Sequence, residues 1–186
     1  MAMSMLNNSM SQKQIQILTT MQRLWIEHVL WTRAFIISDL NDLKNLDETT
    51  NRLLRNPVDF ANQLKPLYGE QKAIKFQGLL TDHLKIGANL VNAAKAGDET
   101  EANKQRNLWY ANADEIAKFL GDINPYWNAK KWQALLYDHL KMTENEVVLE
   151  LKGQYEDSVK QYDAIQDEAI KMANYMANGI IRQFKI

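Results

Sequence analysis

Two stretches of this sequence decide its fold: KFQGLLTDHLKIGANLV (residues 75–91) and KWQALLYDHLKMTENEV (residues 131–147). They align without a gap, and ten of their seventeen positions are identical. An amphipathic helix requires only that apolar and polar residues recur with the helical period. Here Lys, Gln, Asp, His and Asn also recur in register, which indicates a duplicated segment rather than two unrelated helices.

Apolar residues recur every three or four positions through most of the chain, which predicts helices and no strands. The first helix is predicted from Ser11, which forms a capping box with Gln14, to about Asn41. Further helices are predicted over about 70–96, 99–120 and 128–152, and a break near Gly153 predicts a last helix over about 154–184. The segment RNPVDFANQLKPLYG is predicted to be a linker with one short helix, capped by Asn56 and begun by Pro57.

The remaining helices support a repeated hairpin. RLWIEHVLWTRAFI (23–36) and NLWYANADEIAKFL (107–120) share Leu-Trp at the start and Phe in the last turn, and an Asn-Pro pair lies between the helices of each hairpin. We interpret the chain as hairpin repeats over about 11–96 and 99–152, followed by the helix over about 154–184. The predicted fold class is all-α: an up-and-down four-helix bundle with a fifth, C-terminal helix, in a single domain over 11–186.

Composition and charge exclude several kinds of function. A chain of 186 residues can bury a core of its own, and a net charge of −1 with a pI near 6.3 gives no bulk electrostatic case for nucleic acid or membrane binding. The absence of cysteine excludes disulfides, thiol nucleophiles and Cys-based metal sites. The polar residues 1–10 lack a signal-peptide pattern and are interpreted as a disordered leader, so we expect a cytoplasmic protein.

The three histidines are the main candidate functional residues. In the twofold alignment His83 corresponds to His139 and His28 corresponds to Asn112. All four lie on an apolar stripe near the middle of a predicted helix, and the middles of antiparallel helices meet at one height. A buried polar group without a partner costs about 1–3 kcal/mol. The predicted polar layer must therefore be satisfied by internal hydrogen bonds, water, a small ligand or a metal.

Three imidazoles offer neutral nitrogen ligands to one divalent transition metal such as Zn, Fe, Ni or Mn. Asn112 and Glu115, three apart on one helix face, are candidates for an oxygen ligand. The acidic residues that precede the histidines, together with Glu146 in the neighbouring layer, are candidates to orient the imidazoles. The candidate ligands are thus His28, His83, His139, Asn112 and Glu115, and the candidate supporting residues are Glu27, Asp82, Asp138 and Glu146.

A different class of function stays open at this point. The His/Asn layer is alternatively a hydrogen-bonded element that sets helix register in a structural or interaction bundle, with a homodimer formed through the last helix. The sequence contains no Gly-rich phosphate loop, no GxSxG and no Ser/His/Asp set, so no catalytic residue is assigned. A hydrolase or oxidoreductase that uses the metal is the third alternative.

Five strings together resemble a family of small bacterial helical proteins: LWIEHVLWTR, NRLLRNPVDFANQLKPLYG, WYANADEIAKFL, INPYW and GIIRQF. Members often carry the transferred name acetylglutamate kinase, but an amino-acid kinase needs an α/β fold and glycine-rich phosphate loops. The family has no established activity, so the resemblance implies no catalytic residues.

At the level of fold the chain is similar to ferritin-like and hemerythrin-like bundles. Di-iron sites of the ferritin type use Glu-x-x-His twice, whereas Trp25, Leu80 and Leu136 stand three residues before the histidines. Thr32, Gly87 and Thr143 stand four residues after them, so His-x-x-x-His and His-x-x-x-Glu are also absent. These spacings favour a mononuclear site, or none, over a dinuclear one.

Overall fold

The computed structural model describes residues 10–186, and this part of the chain is all-helical. Its six helices are α1 (Gln12–Leu40), α2 (Leu46–Tyr68), α3 (Glu70–Ala96), α4 (Glu99–Ile123), α5 (Ala129–Leu151) and α6 (Tyr155–Phe184). The leader predicted over residues 1–10 falls, except for Met10, outside the described residues. No helix between residues 10 and 186 is long and apolar enough to cross a membrane.

Five of the predicted helices are confirmed to within a few residues. α1 begins after Ser11, whose hydroxyl accepts a hydrogen bond from the Gln14 backbone N–H while the Gln14 side chain accepts one from Ser11 N–H. Asn128 caps α5 in a similar way. The predicted break between the last two helices occurs at Gly153, whose φ of 68° favours glycine.

The predicted linker is wrong, because this segment is α2, a helix of 23 residues. Asn56 does not cap it but lies buried in its middle, and Pro57 follows inside the helix. Each proline removes one backbone hydrogen bond, and burial of the apolar face that contains Leu53, Phe60 and Leu64 offsets that cost. The prediction of four helices plus a fifth is corrected accordingly to six.

The helices form a closed ring in chain order. Each helix packs against the next, α6 returns to pack against α1, and α1 also contacts α3 and α5 across the middle. Gly69 alone joins α2 to α3, and its φ of 84° allows the chain to reverse within one residue. The short connections thus keep sequential helices adjacent and antiparallel.

The ring consists of three similar hairpins: α1–α2, α3–α4 and α5–α6. Buried residues recur at intervals of 56 along the second helices: Leu53, Trp109 and Ile165; Asn56, Asn112 and Glu168; Phe60, Ile116 and Met172; Leu64, Leu120 and Met176. The histidines recur in the first helices at residues 28, 83 and 139. The chain is therefore a triplication with a pseudo-threefold axis through its centre.

This arrangement corrects the predicted twofold repeat. The stretches 75–91 and 131–147 are two of three copies, and the third copy lies in α1 around LWIEHVL (24–30). His28 consequently corresponds to His83 and His139 and not to Asn112, whose counterparts are Asn56 and Glu168. The earlier pairing of α1 with α4 compared the first helix of one hairpin with the second helix of another.

Candidate metal centre

Three histidines converge on the pseudo-threefold axis. His28 lies on α1, His83 on α3 and His139 on α5, and each is no more than 2 % exposed. Their ring centroids form a nearly equilateral triangle with sides of 6.2, 5.6 and 6.4 Å. One nitrogen from each ring lies within 4.8 Å of the other two. The structure thus brings the three imidazoles to one buried point.

Two of the imidazoles are held by asparagines on the next helix. His28 Nδ1 lies 3.1 Å from Asn56 Oδ1, and Asn56 Nδ2 donates to the carbonyl oxygen of Leu24 at 3.0 Å. The second hairpin repeats this pattern: His83 Nδ1 lies 2.9 Å from Asn112 Oδ1, and Asn112 Nδ2 donates to Leu79 at 3.1 Å.

These hydrogen bonds determine the tautomer of both rings. Each asparagine uses its NH₂ group as a donor to a backbone carbonyl four residues before the histidine, so its oxygen faces the ring. An amide oxygen only accepts, and Nδ1 must therefore carry the hydrogen. The Nε2 lone pairs of His28 and His83 are then free to bind a metal, and a fixed Nδ1–H is the usual support of a metal-binding imidazole.

The third hairpin differs from the other two. The residue at the position of Asn56 and Asn112 is Glu168, which is 4 % exposed. Within the described part of the chain, His139 Nδ1 and Glu168 Oε1 are both buried and have no hydrogen-bond partner. Glu168 Oε2 lies 3.4 Å from the Nζ of Lys171. A glutamate has no N–H to donate to the backbone, so nothing anchors it as the two asparagines are anchored.

The surroundings keep all three rings neutral. Burial lowers the pKa of His28 to about 4. It lowers the pKa of His83 to about 3, with a further contribution from the nearby His28, and it holds the pKa of His139 well below its usual range. A metal binds only the neutral imidazole, so protons do not compete for these nitrogens near neutral pH.

The two sides of the histidine layer are unlike. One turn towards the N-termini of α1, α3 and α5, the axis is filled by Trp25, Leu80 and Leu136, each 2 % exposed. On the opposite side the three rings face a cavity of about 90 Å³. The lining on that side includes Thr32, Gly87 and Thr143, each four residues after a histidine and equivalent in the repeat. The threonine hydroxyls donate to the carbonyls of His28 and His139, so neither hydroxyl proton is available to a ligand in the cavity.

The two other residues predicted as metal ligands, Asn112 and Glu115, do not direct a free oxygen at the point where the three rings meet. Asn112 is next to the three rings, but its oxygen and nitrogen are occupied by hydrogen bonds to His83 and to the Leu79 carbonyl. Glu115 is exposed on α4, since the buried face of that helix contains Asn112, Ala113 and Ile116 instead.

The acidic residues that precede the histidines also lie outside the centre. One residue rotates a helix by about 100°, so a side chain next to a buried histidine points away from the axis. Asp82 and Asp138 are exposed, and Glu27 pairs with Arg52 at 3.0 Å. The expected orienting role belongs to Asn56 and Asn112.

Glu146 lies in a neighbouring layer, as predicted, but its partner is a cation. Its side chain is 2 % exposed and accepts a hydrogen bond from Arg33, which also lies 3.5 Å from Glu150 and donates to the Ser158 hydroxyl at 3.1 Å. Burial raises the pKa of Glu146 to about 7 even beside this guanidinium. This cluster joins α1, α5 and α6, and it was not predicted.

Comparison of the chain with protein-family models, with curated proteins and with solved structures finds no match. The predicted likeness to ferritin-like and hemerythrin-like bundles therefore has no support from a neighbour. The functional argument rests on the geometry of the centre.

Proposed function

We propose that this protein binds one divalent transition metal through the Nε2 atoms of His28, His83 and His139. The observation that carries the proposal is the convergence of three neutral imidazoles, from three repeats, on one buried point. Two of them are already in the tautomer that a metal requires. A layer that only set helix register would have no need to bring one nitrogen from each of three rings to a common centre.

The three ring nitrogens lie close enough together that only a small movement of each is needed to bind one metal ion. Zinc–nitrogen bonds are about 2.0–2.1 Å long, which places the nitrogens of a tetrahedral site about 3.4 Å apart. Starting from separations of up to 4.8 Å, each nitrogen moves towards the axis by no more than about 0.8 Å. Rotation of an imidazole about χ1 and χ2 supplies a movement of this size without moving a helix.

The donor set favours zinc among the metals that the sequence suggests. Three imidazoles and one open position are typical of a tetrahedral zinc site, whereas Mn prefers a larger share of oxygen ligands. Fe and Ni remain competitors, since both bind imidazole. The fourth position faces the cavity, because Trp25, Leu80 and Leu136 fill the other side.

Elemental analysis of protein purified without a metal-affinity tag tests the proposal. We expect about one metal ion per chain, and its loss in His83→Gln, which removes the ligand nitrogen and keeps a hydrogen-bonding side chain. Asn145→Ala, an exposed change on α5 that alters a surface hydrogen bond to Gln161, is the control and should retain the metal. Substoichiometric metal that is the same in wild type and His83→Gln would contradict the proposal.

The competing function is a structural or dimerising bundle whose polar layer only holds the helices in register. The two His–Asn pairs favour it, because each joins neighbouring helices. It predicts a stable protein that binds no metal and elutes at the mass of a dimer, so the same elemental analysis combined with light scattering distinguishes the two functions. Residence in the cytoplasm is part of the proposal in either case.

A further inference from the structure

The cavity beside the histidine layer is closed on one side by the rings themselves and is otherwise almost entirely apolar. Its walls include Phe35, Leu84, Val91 and Val147, all at most 6 % exposed. Arg106 and Glu144, the charged residues that line it, pair with each other, with Arg106 Nε 2.6 Å from Glu144 Oε1. The cavity therefore offers no unpaired charge to a ligand except at the metal.

The size of the cavity limits its occupant. An engineered apolar cavity of about 150 Å³ accommodates benzene, and this cavity holds about 90 Å³. A chain of three or four carbon atoms fits into that volume, whereas a chain of six carbon atoms needs a larger volume.

The charge of the metal centre determines which chemical group of a ligand binds at the fourth position. Three neutral imidazoles do not reduce the +2 charge of a divalent metal, and such a charge is costly in a buried, apolar site when no anionic ligand is bound to it. A monoanionic head on the fourth position reduces that charge. We propose that the protein binds short-chain aliphatic monocarboxylates, with one carboxylate oxygen on the metal and the alkyl chain in the cavity. This inference rests on the proposed metal site.

Calorimetric titration of the zinc-loaded protein with acetate, butyrate, hexanoate and succinate tests the inference. Each buried methylene contributes about fourfold in affinity, so butyrate should bind about fifteenfold more tightly than acetate. Succinate, with a second carboxylate at the apolar end, should bind more weakly than butyrate, and hexanoate should lose affinity because it exceeds the cavity. Removal of zinc should abolish binding of all four.

Two variants distinguish the contribution of the cavity to ligand binding from the contribution of the metal. Ala88→Leu places a larger side chain in the cavity wall and should weaken butyrate by tenfold or more while acetate and zinc are retained. Ala111→Leu, an exposed position on α4, is the matched control and should change neither. Full zinc binding with equal affinity for acetate, butyrate and succinate would overturn the ligand inference and leave the metal site intact. Failure to bind zinc would overturn both.

The triplication carries a second inference, which rests on the proposed metal site but not on the cavity. Two of three histidines are held by Asn56 and Asn112, and the third hairpin places Glu168 at the same position, where His139 Nδ1 and Glu168 Oε1 are both without a partner within the described chain. Each of these two buried polar atoms lowers the stability of the fold as long as it has no hydrogen-bond partner. We infer that Glu168 accepts a hydrogen bond from His139 Nδ1–H when the metal is bound, and so acts as the positioning residue of the third ligand.

This arrangement also explains why one of the three partners is a carboxylate. Burial raises the pKa of Glu168, and a metal bound to His139 would favour its ionised form. The carboxylate then offsets part of the metal charge, which neutral asparagines do not do. Lys171 Nζ lies 3.4 Å from Glu168 Oε2, and the Lys171 side chain is largely exposed. An exposed ion pair of this kind is weak, so it does not prevent the Glu168 side chain from rotating towards His139.

Zinc affinity and the ¹⁵N–¹H NMR signals of the imidazoles test this second inference. Glu168→Leu should weaken zinc binding about 10–100-fold and remove the hydrogen-bonded Nδ1–H signal of His139, whereas Glu168→Gln should retain that signal and lose less affinity. Lys171→Leu is the control and should leave the affinity unchanged. If Glu168→Leu bound zinc as tightly as the wild type does, the proposed role of Glu168 would be refuted and the proposed metal site would be unaffected.

Discussion

Replacement of Asn112 by leucine tests whether the buried His–Asn pairs support the centre. Asn112 is 7 % exposed on α4. Its side chain accepts a hydrogen bond from His83 Nδ1–H at 2.9 Å and donates one to the Leu79 carbonyl at 3.1 Å. Leucine has nearly the same shape as asparagine and can do neither. The substitution therefore removes the polar contacts while filling the same space.

The expected magnitude follows from what is left unpaired. His83 Nδ1–H stays buried without an acceptor, at a cost of about 1–3 kcal/mol. The Leu79 carbonyl keeps its helical hydrogen bond from the His83 backbone N–H, so it adds little. We expect the metal-free variant to lose about 2 kcal/mol of unfolding free energy, which lowers Tm by about 4–8 °C in a chain of this size. Zinc affinity should fall about 10–100-fold, because the ring is no longer held in the required tautomer.

Urea denaturation in the presence of a chelator measures the first effect, and competition with a chelator of known zinc affinity measures the second. Asn145→Leu on the surface of α5 is the matched control, where the change in unfolding free energy should stay within about 0.5 kcal/mol. An Asn112→Leu protein as stable as wild type, with unchanged zinc affinity, would refute the reasoning that the amide holds the imidazole.

Three further predictions concern the Arg33–Glu146 pair, two glycines and the pH dependence of stability. Arg33→Met leaves Glu146 buried without its cation, so at pH 8, where the unfolded chain carries an ionised Glu146, urea denaturation should show a loss of about 3–5 kcal/mol that the double variant with Glu146→Gln largely restores; equal losses in the two variants would count against the pair. Gly179→Ala should lower Tm strongly, because the added Cβ would lie 1.9 Å from Trp127 Nε1, whereas Gly78→Ala, with nothing within 4 Å, should stabilise the protein by about 0.5–1 kcal/mol. Chelator-treated protein should lose stability as the pH falls from 6.5 towards 4, by up to about 1.4 kcal/mol per pH unit for each histidine, because the unfolded chain takes up protons that the folded rings, with lowered pKa values, do not; a flat profile over that range would contradict the buried neutral histidines.

The helical period was sufficient to predict five of the six helices and the meeting of the three histidines. His28, His83 and His139 each lie on an apolar stripe near the middle of a helix, and that alone places them together in an antiparallel array. The sequence does not predict α2 as one helix, because Pro57 and Pro66 are residues typical of helix boundaries. A well-packed helix nevertheless tolerates the loss of single backbone hydrogen bonds at its prolines.

The sequence shows the triplication only in part, because its strongest internal match involves two of the three copies and predicts a duplication. LWIEHVL shares with LLTDHLK only the first leucine, the acid–histidine pair and an aliphatic residue after it. The intervals from His28 to Asn56 and from His83 to Asn112 differ by one residue, and this near-match was the signal that could have identified the asparagine partners. Glu168 could not be predicted in this way, because its residue type differs and only the fold shows that its position is equivalent.

The central claim is that three imidazole nitrogens bind one metal with a fourth position open to the cavity. X-ray absorption of the zinc-loaded, untagged protein tests it most directly. The account predicts one zinc per chain with three imidazole nitrogens at about 2.0–2.1 Å and one further light ligand, and a spectrum that changes when butyrate is added. Zinc bound by fewer than three imidazoles, or by carboxylates alone, would contradict it.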